Sequence, residues 1–166
     1  MVAATVSNEH QMQMSERVRA LRSWHDDWSG LKVAVLGLGM TGFSVADTLV
    51  ELGSTVRVIY GREDADRERL LDVIGAERAM LEGDEQQLTN LTEFAPDLVV
   101  VSPGYKPDHP LTEWATSQGI VVWGDIELGW RLRDKTTRIA DWICITGTNG
   151  KTTTSQLTAH MLVAGG

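Results

Sequence analysis

Short apolar runs alternate with amphipathic segments between residues 31 and 133 of this chain. The runs at 32–36 and 97–104 are almost continuously apolar, as expected for strands buried on both faces of a parallel sheet. The run at 55–60 is rich in β-branched residues, which favour strands. Between the runs, apolar residues recur at helical spacing. The pattern predicts strands at 32–36, 55–60, 79–81, 97–104 and 120–123, and helices between 42 and 53 and at 64–74, 86–94, 110–118 and 126–133.

Before residue 31 the chain shows two segments with different patterns. Residues 1–14 are polar and show no periodicity, so we expect a mobile extension there. From Ser15, a candidate helix cap, apolar residues recur at helical spacing at Val18, Leu21, Trp24 (or His25) and Trp28. The sequence therefore predicts one helix, beginning at Ser15, whose apolar face lies on the domain.

The alternation of strands and helices predicts an α/β fold, a doubly wound parallel sheet of about five strands with helices on both faces. The polar segment RDKTT at 133–137 is predicted to be a linker. Beyond it we expect an apolar strand at 142–146, with Cys144 buried in it, and a helix from Lys151 to about Val163. We therefore assign 1–14 to the extension, 15–134 to the first domain, and 135–166 to the start of a second, truncated domain.

The 166 residues are 42% hydrophobic and 23% charged, which is typical of a folded globular protein. The formal net charge of -8 argues against a nucleic-acid partner, because binding to a phosphate backbone needs a basic face. With a single cysteine, no internal disulfide can form, and a reducing compartment is expected. No apolar run reaches membrane-spanning length. We expect a cytoplasmic monomer without membrane insertion.

Three glycines, Gly37, Gly39 and Gly42, follow the first strand with G-x-G-x-x-G spacing and open a helix, as in Rossmann-like domains. In this context the first glycine permits a tight turn. The second lets backbone approach a phosphate, and the third lets helix and strand pack closely. The free N–H groups at the helix N-terminus would favour an anion. The motif favours phosphate binding over a plain strand-to-helix turn, but it does not name the nucleotide.

The ends of two other strands are candidate ligand contacts. The second strand ends in Tyr60, Gly61 and Arg62, where a dinucleotide-binding protein usually carries Asp or Glu for the ribose hydroxyls. This departure weakens a nicotinamide interpretation. Arg62 suits a phosphate or a base edge, with a solvated loop charge as the alternative. The fourth strand ends in SPG at 102–104, at the edge where open α/β sheets bind ligands, although a plain strand-to-loop turn explains this tripeptide equally well.

Two acidic residues, Asp125 and Glu127, lie where the last helix of the first domain opens. Such a pair could suggest a metal site or an acid–base pair. Helix capping by Asp125 and compensation of the helix dipole explain the two residues more simply, so we assign no metal to them.

A second glycine-rich turn, GTNGKTT at 147–153, lies between the strand predicted at 142–146 and the helix predicted from Lys151. A strand, Gly-Lys-Thr and a helix in this order are typical of a phosphate loop. The backbone amides can cradle phosphates, Lys151 can neutralise the terminal phosphates, and the Thr152 hydroxyl can hold Mg²⁺. The strict pattern has glycine where this chain has Ile145, so the loop is expected to differ in detail.

These motifs occur together with HP at 109–110, GDIEL at 124–128 and ITGTNGKTTT at 145–154. In this combination the chain resembles the Mur ligases of bacterial cell-wall synthesis. Within that family it is most similar to the members that add D-glutamate to UDP-N-acetylmuramoyl-L-alanine. GTNGKTT alone would also admit folylpolyglutamate synthetases, which share the ATP-binding domain. The first domain and the SPG and GDIEL segments favour the Mur ligases.

The resemblance implies that the first domain binds the UDP part of UDP-N-acetylmuramoyl-L-alanine and that the second binds ATP and Mg²⁺. The residues implied for the UDP moiety are Gly39, Met40, Thr41, Gly42, Gly61, Arg62, Ser102, Pro103 and Gly104. Those implied for ATP are Gly147, Thr148, Asn149, Gly150, Lys151, Thr152 and Thr153, with Lys151 as catalytic residue and Thr152 as metal ligand. Similar enzymes end the second strand in an Asp-Thr-Arg-like triplet, of which Arg62 alone matches here.

The reaction implied by the resemblance is ATP-dependent amide formation. The substrate carboxylate attacks the γ-phosphate to give an acyl phosphate, which the amine of D-glutamate then attacks. We expect this chain to be an N-terminal fragment that binds the UDP-sugar without ligating it. The apolar faces of 142–163 would then be exposed, covered by a neighbour or poorly ordered. Two other classes stay open, a nicotinamide- or nucleotide-binding domain of an oxidoreductase or regulatory sensor, and a noncatalytic interaction module.

Overall fold

The computed structural model describes residues 2–106, 108–133, 139 and 141–165, with side chains from residue 11 onwards. The chain divides into two compact units, Met1–Lys135 and Thr136–Gly166. Within the described ranges, no helix is both long enough and apolar enough to cross a membrane.

The first unit is built on one parallel sheet. Its elements are α1 (Val2–Ala20), β1 (Lys32–Leu36), α2 (Met40–Glu51), β2 (Thr55–Tyr60), α3 (Ala65–Ile74), β3 (Glu77–Met80), α4 (Asp84–Phe94), β4 (Leu98–Val101), α5 (Pro110–Ser117), β5 (Val121–Gly124) and α6 (Asp125–Leu132). The strands lie in the order β3-β2-β1-β4-β5, and each neighbouring pair is parallel. The predicted Rossmann-like α/β fold is confirmed. β1 and β2 have the predicted limits, the limits of the other elements from α2 to α6 differ by a few residues, and α1 differs by more.

Both faces of the sheet are covered by helices. In β1, Val33 and Val35 lie in a core shared with α1, α2, α3 and α6. Ala34 and Leu36 lie in a second core shared with α4 and α5. The alternation follows from the strand itself, since successive side chains point to opposite faces. The predicted helices on both faces are confirmed.

The start of α1 differs from the prediction. The helix begins at Val2, so Ser15 lies inside it and is not a cap. The Ser15 side chain is buried, and its hydroxyl donates to the backbone oxygen of Gly119 at 2.7 Å. This bond joins α1 to the turn before β5. The mobility expected for residues 1–14 stays a prediction.

The end of α1 also differs. The helix ends at Ala20, because the carboxylate of Asp26 accepts hydrogen bonds from the N–H groups of Arg22 and Ser23 at 2.6 and 2.8 Å. Such side-chain bonds offer the backbone an alternative to helix. Trp28 is buried from the following loop, where its indole N–H donates to the Ser23 oxygen at 3.0 Å. The prediction of one helical face reaching Trp28 is wrong.

The beginning of α6 corrects a second capping assignment. Gly124 is the N-cap, and Asp125 is the first helical residue, with no side-chain capping bond. The capping role predicted for Asp125 is therefore wrong. Asp125 and Glu127 both lie in the first turn, where negative charge interacts favourably with the helix dipole, as predicted.

In the second unit, the described part contains α7 (Lys151–Gly165), preceded by irregular backbone at 141–150. The strand predicted at 142–146 is wrong. A strand is stable only when neighbouring backbone satisfies its N–H and C=O groups, and none pairs with this segment in the described ranges. Cys144 is exposed, contrary to the prediction.

The helix of the second unit has an apolar surface open to solvent. No residue of α7 is buried, and Leu157 and Met161 are 59% and 66% exposed. Of the three alternatives expected for the apolar faces of 142–163, the structure shows exposure. Apart from Arg133, the linker predicted at 133–137 lies outside the described residues.

Candidate phosphate-binding edge of the sheet

The carboxyl ends of β1 and β4 form the topological switch point of the sheet. The chain continues from β1 to β2 on one side, whereas β4 leads to β5 on the other. Ligands of open α/β sheets bind in the crevice at such a point. Because all five strands are parallel, the three segments implied by the sequence end at this same edge. These segments are the glycine turn after β1, residues 61–62 after β2 and residues 102–104 after β4.

Gly37 makes the turn out of β1. Its φ of +98° lies in a region that residues with a side chain rarely adopt. Its N–H donates to the backbone oxygen of Ile59 in β2 at 2.8 Å, and its own oxygen accepts a bond from the Ser102 hydroxyl at 3.4 Å. The turn is thus tied to the strands on both sides of β1.

Gly42 lies where α2 approaches this turn most closely. A Cβ atom placed on Gly42 would lie 2.0 Å from the backbone oxygen of Gly37. No side chain can be accommodated at that distance, so glycine is required for the packing of α2 on the turn. This close packing is the role that the motif assigns to its third glycine.

The N-terminus of α2 is open. Gly39 is the N-cap and has no side chain to bond the first N–H groups. The first helical bond runs from the Phe43 N–H to the Gly39 oxygen at 3.0 Å, so the N–H groups of Met40, Thr41 and Gly42 have no intrahelical partner. A Cβ atom on Gly39 would meet nothing within 4 Å, and Met40 is 77% exposed. The geometry suits an anion placed against the helix end.

The end of β2 carries a buried phenol in place of an acidic side chain. Tyr60 is 3% exposed, and its burial and the neighbouring Glu68 carboxylate raise the pKa of Tyr60 to about 12. Gly61 passes close to the side chain of Gln87, whose Nε2 would lie 3.0 Å from an added Cβ. Arg62 follows, with an exposed side chain. It brings a positive charge to the carboxyl edge of β2.

We expect Tyr60 to stay protonated to high pH. The chain has two tyrosines, so an absorbance titration of the Tyr105→Phe variant isolates Tyr60. Recorded by rapid mixing, before alkaline unfolding, its midpoint should lie at about 12. A free phenol ionises near pH 10, so the stability from this burial is complete below about pH 10 and falls by about 1.4 kcal/mol per pH unit up to the folded pKa. A midpoint near 10 would contradict the burial.

The residues that follow β4 are the third candidate segment at this edge. The Ser102 N–H donates to the Leu36 oxygen at 3.1 Å, which prolongs the contact between β4 and β1 by one residue. Pro103 and Gly104 are exposed, and a Cβ on Gly104 would meet nothing within 4 Å. The structure therefore brings Ser102 against the Gly37 turn and leaves the next two residues accessible.

Three residues to which the sequence analysis gave no role in the site also lie here. A Tyr105 ring carbon, Cε2, lies 3.2 Å from the position of a Cβ on Gly37, and the ring packs edge-on against His109 with centroids 4.7 Å apart. The His109 Nε2 lies 3.7 Å from the Asp84 carboxylate. Burial and the charge of Asp84 raise the pKa of Tyr105. An aromatic residue directly after SPG was the available sequence signal for this wall of the site.

The second unit carries the other predicted ligand residues, 147–153, which are all exposed. Gly147 and Gly150 have φ values of +153° and +78°, which give the segment its turns. Lys151 opens α7, and its ammonium donates to the oxygens of Gly147 and Thr148 at 2.6 and 3.5 Å. The described ranges hold no cluster of three His, Cys, Asp or Glu side chains suited to a metal ion. A loop amide set, an ammonium and the Thr152 hydroxyl remain as candidate phosphate and Mg²⁺ contacts.

The family described as Mur ligase MurD-like, N-terminal domain, matches residues 31–124. This chain belongs to the MurD-like Mur ligases. The matched residues run from the start of β1 to the end of β5 and include the complete switch-point edge. The predicted family is confirmed, and the oxidoreductase and folylpolyglutamate synthetase alternatives are set aside.

The chain is similar to curated relatives over most of its own length. It is 62% identical to the UDP-N-acetylmuramoylalanine--D-glutamate ligase of Leifsonia xyli subsp. xyli, over 157 residues that cover 91% of this chain and 30% of that protein. It is 45% identical to the ligase of the same name from Tropheryma whipplei, over 90% of this chain and 30% of the relative. The chain thus spans about 30% of the length of the Mur ligases that it matches.

A solved Mur ligase shares the fold. The UDP-N-acetylmuramate:L-alanyl-gamma-D-glutamyl-meso-diaminopimelate ligase from Neisseria meningitides superposes with a TM-score of 0.50 at 20% identity. The superposition covers 58% of this chain and 29% of that structure. At this identity the likeness extends to the fold and not to the substrate.

Proposed function

We propose that this chain binds the UDP moiety of UDP-N-acetylmuramoyl-L-alanine for a ligase that joins this substrate to D-glutamate in peptidoglycan precursor synthesis. The observation that carries the proposal is the open N-terminus of α2, which the close approach of Gly42 to Gly37 holds at the switch point. The names of the relatives support the choice of substrate. Because the chain spans about 30% of those relatives, we assign ligation to the whole protein and binding to this segment.

The diphosphate is the part of the substrate that this edge can hold most directly. The N–H groups of Met40, Thr41 and Gly42 would donate to its oxygens, and the bare Gly39 would let them approach. Arg62 would supply a countercharge that backbone amides alone do not give. The accessible turn at 102–104, with Gly61, would contact the uridine.

The second unit offers donors for ATP and Mg²⁺. Bound ATP would supply the phosphoryl group that activates the substrate carboxylate. The amides of 147–150 would cradle its phosphates, the Thr152 and Thr153 hydroxyls would face them, and Thr152 would hold Mg²⁺. Lys151 would neutralise charge on the transferred group, since phosphoryl transfer depends on positioning and electrostatic stabilisation. For this, its ammonium must leave the Gly147 oxygen that it bonds at 2.6 Å.

Calorimetric titration of the 166-residue chain tests the proposed substrate. We expect saturable binding of UDP-N-acetylmuramoyl-L-alanine and no binding of NADH, because the end of β2 lacks the acidic side chain that holds ribose hydroxyls. Arg62→Gln should weaken the UDP-sugar about fivefold, as expected for the loss of one charge-assisted contact.

The matched control is Arg69→Gln. Arg69 is also an exposed arginine, 79% accessible, but it lies on α3 with a weak 3.7 Å pair to Asp66. This variant removes the same charge and should leave the affinity unchanged. Binding of NADH without binding of the UDP-sugar would refute the proposed function. Equal losses of UDP-sugar affinity in both variants would show that Arg62 does not contact the substrate.

A further inference from the structure

An arginine-rich cleft lies in the first unit, away from the switch point. Its lining residues are Arg19, Arg22, Glu127, Trp130, Arg131 and Arg133, and its volume is about 430 Å³. It is formed where the last turns of α1 and α6 come together. Because α6 starts directly at the carboxyl end of β5 and runs back along the sheet, this cleft lies toward the amino ends of the strands. None of its residues belongs to the proposed UDP site.

The positive charge in the cleft exceeds what the fold requires. Among the described residues that line the cleft, four are arginines and one is a glutamate, in a chain whose formal net charge is -8. The carboxyl ends of α1 and α6 add about half a negative charge each. Arg133 has another interaction. Without it, the three positive charges of Arg19, Arg22 and Arg131 still exceed the roughly two negative charges of Glu127 and the two helix ends.

Arg131 makes the contacts that hold α1 and α6 together at this cleft. Its guanidinium pairs with Glu127 at 2.8 Å and donates to the backbone oxygens of Arg19 and Leu21 at 3.0 and 2.8 Å. It also lies 4.2 Å from the centroid of the Trp123 ring. Glu127 and the carboxyl end of α1 are thus both satisfied by one residue.

The side chains of Arg19 and Arg22 make no such structural contacts. In the described part of the chain, neither guanidinium has a hydrogen bond or an ion pair, although both line the cleft. Two other residues that line the cleft contact each other: the guanidinium carbon of Arg133 lies 3.2 Å from the centroid of the Trp130 ring, and this indole is 41% exposed. Two uncommitted guanidinium groups and a stacked Arg–Trp pair therefore surround one small volume.

We propose that this cleft binds a small diphosphate-type oxyanion through Arg19 and Arg22. Guanidinium groups match phosphate oxygens bidentately, and two forks that face one cavity suit neighbouring phosphates. The size of the cleft and the acidic surroundings favour a small ligand, since an extended polyanion would meet the net negative field of the chain. The inference does not depend on the UDP-sugar proposal.

An NMR titration of the full 166-residue chain with sodium pyrophosphate, at constant ionic strength, tests the cleft. The indole N–H signal of Trp130, assigned by its loss in Trp130→Phe, reports on the cleft, and the Gly42 amide reports on the switch point. We expect a saturable Trp130 shift that chloride does not produce. Arg19→Gln and Arg22→Gln should each raise the midpoint about fivefold, and Arg69→Gln should not change it.

Three outcomes would refute oxyanion binding in the cleft. They are a Trp130 shift that does not saturate, an equal loss of pyrophosphate affinity in Arg69→Gln, and saturation at Gly42 without a change at Trp130. The last of these would leave the UDP-sugar proposal intact. A parallel titration with UDP distinguishes a free diphosphate from a nucleoside diphosphate as the ligand. If the Trp130 midpoint for UDP equals that for pyrophosphate, the ligand is a free diphosphate. If the midpoint for UDP is lower, the ligand is a nucleoside diphosphate.

Discussion

Gly42→Ala is expected to lower the free energy of unfolding by about 3 kcal/mol, at the upper end of the usual cost of overpacking. The added Cβ would lie 2.0 Å from the Gly37 oxygen and 3.1 Å from the Ser102 hydroxyl oxygen. Since the nearest atom belongs to the backbone, a rotamer change cannot relieve the clash, and α2 must move away from the turn. Urea unfolding followed by circular dichroism measures the loss.

Gly39→Ala is the matched control, three residues away in the same motif. Its φ is -106°, and its added Cβ would meet nothing within 4 Å. Replacing an N-cap glycine by alanine should cost less than about 1 kcal/mol. If the two variants were destabilised equally, the close approach of α2 to the Gly37 turn would be refuted.

Arg131→Met should cost about 2–3 kcal/mol, because it removes two charge-assisted bonds to backbone oxygens and keeps the apolar stem. The arginine side chain is 20% exposed, so water can replace these bonds only in part. The oxygens of Arg19 and Leu21 lose their donor, and α1 loses its attachment to α6. Amide exchange should accelerate at the C-terminal end of α1 more than in the sheet.

Arg69→Met provides the comparison for Arg131→Met. Its arginine is 79% exposed and forms one 3.7 Å pair, so the substitution should change stability by less than about 0.5 kcal/mol. An Arg131→Met variant as stable as Arg69→Met, with unchanged exchange in α1, would show that the contacts of Arg131 do not hold this helix.

The sequence predicts the sheet well because its strands are defined by their own composition. β1 and β2 have the predicted limits, since apolar and β-branched runs bounded by glycine leave little alternative. The roles of Gly37 and Gly42 are likewise fixed by spacing within one turn.

Features that depend on distant residues could not be predicted. The hydroxyl of Ser15 donates to the backbone oxygen of Gly119, more than a hundred residues away. Because this partner is distant in sequence, the local pattern around Ser15 wrongly predicts a helix cap. The segment 142–146 has the composition of a strand, but strand formation requires partner backbone. In the site, Tyr105 reaches the Gly37 turn only because β1 and β4 are neighbours in the sheet.

The central claim is that UDP-N-acetylmuramoyl-L-alanine binds at the carboxyl ends of β1, β2 and β4. Mapping of backbone amide shifts during titration with this substrate tests the claim most directly. We predict saturable shifts that are largest at 39–42, 61–62 and 102–104, with little change at 147–153 or at Trp130. Saturable shifts centred on 147–153, or the absence of binding at millimolar substrate, would contradict it.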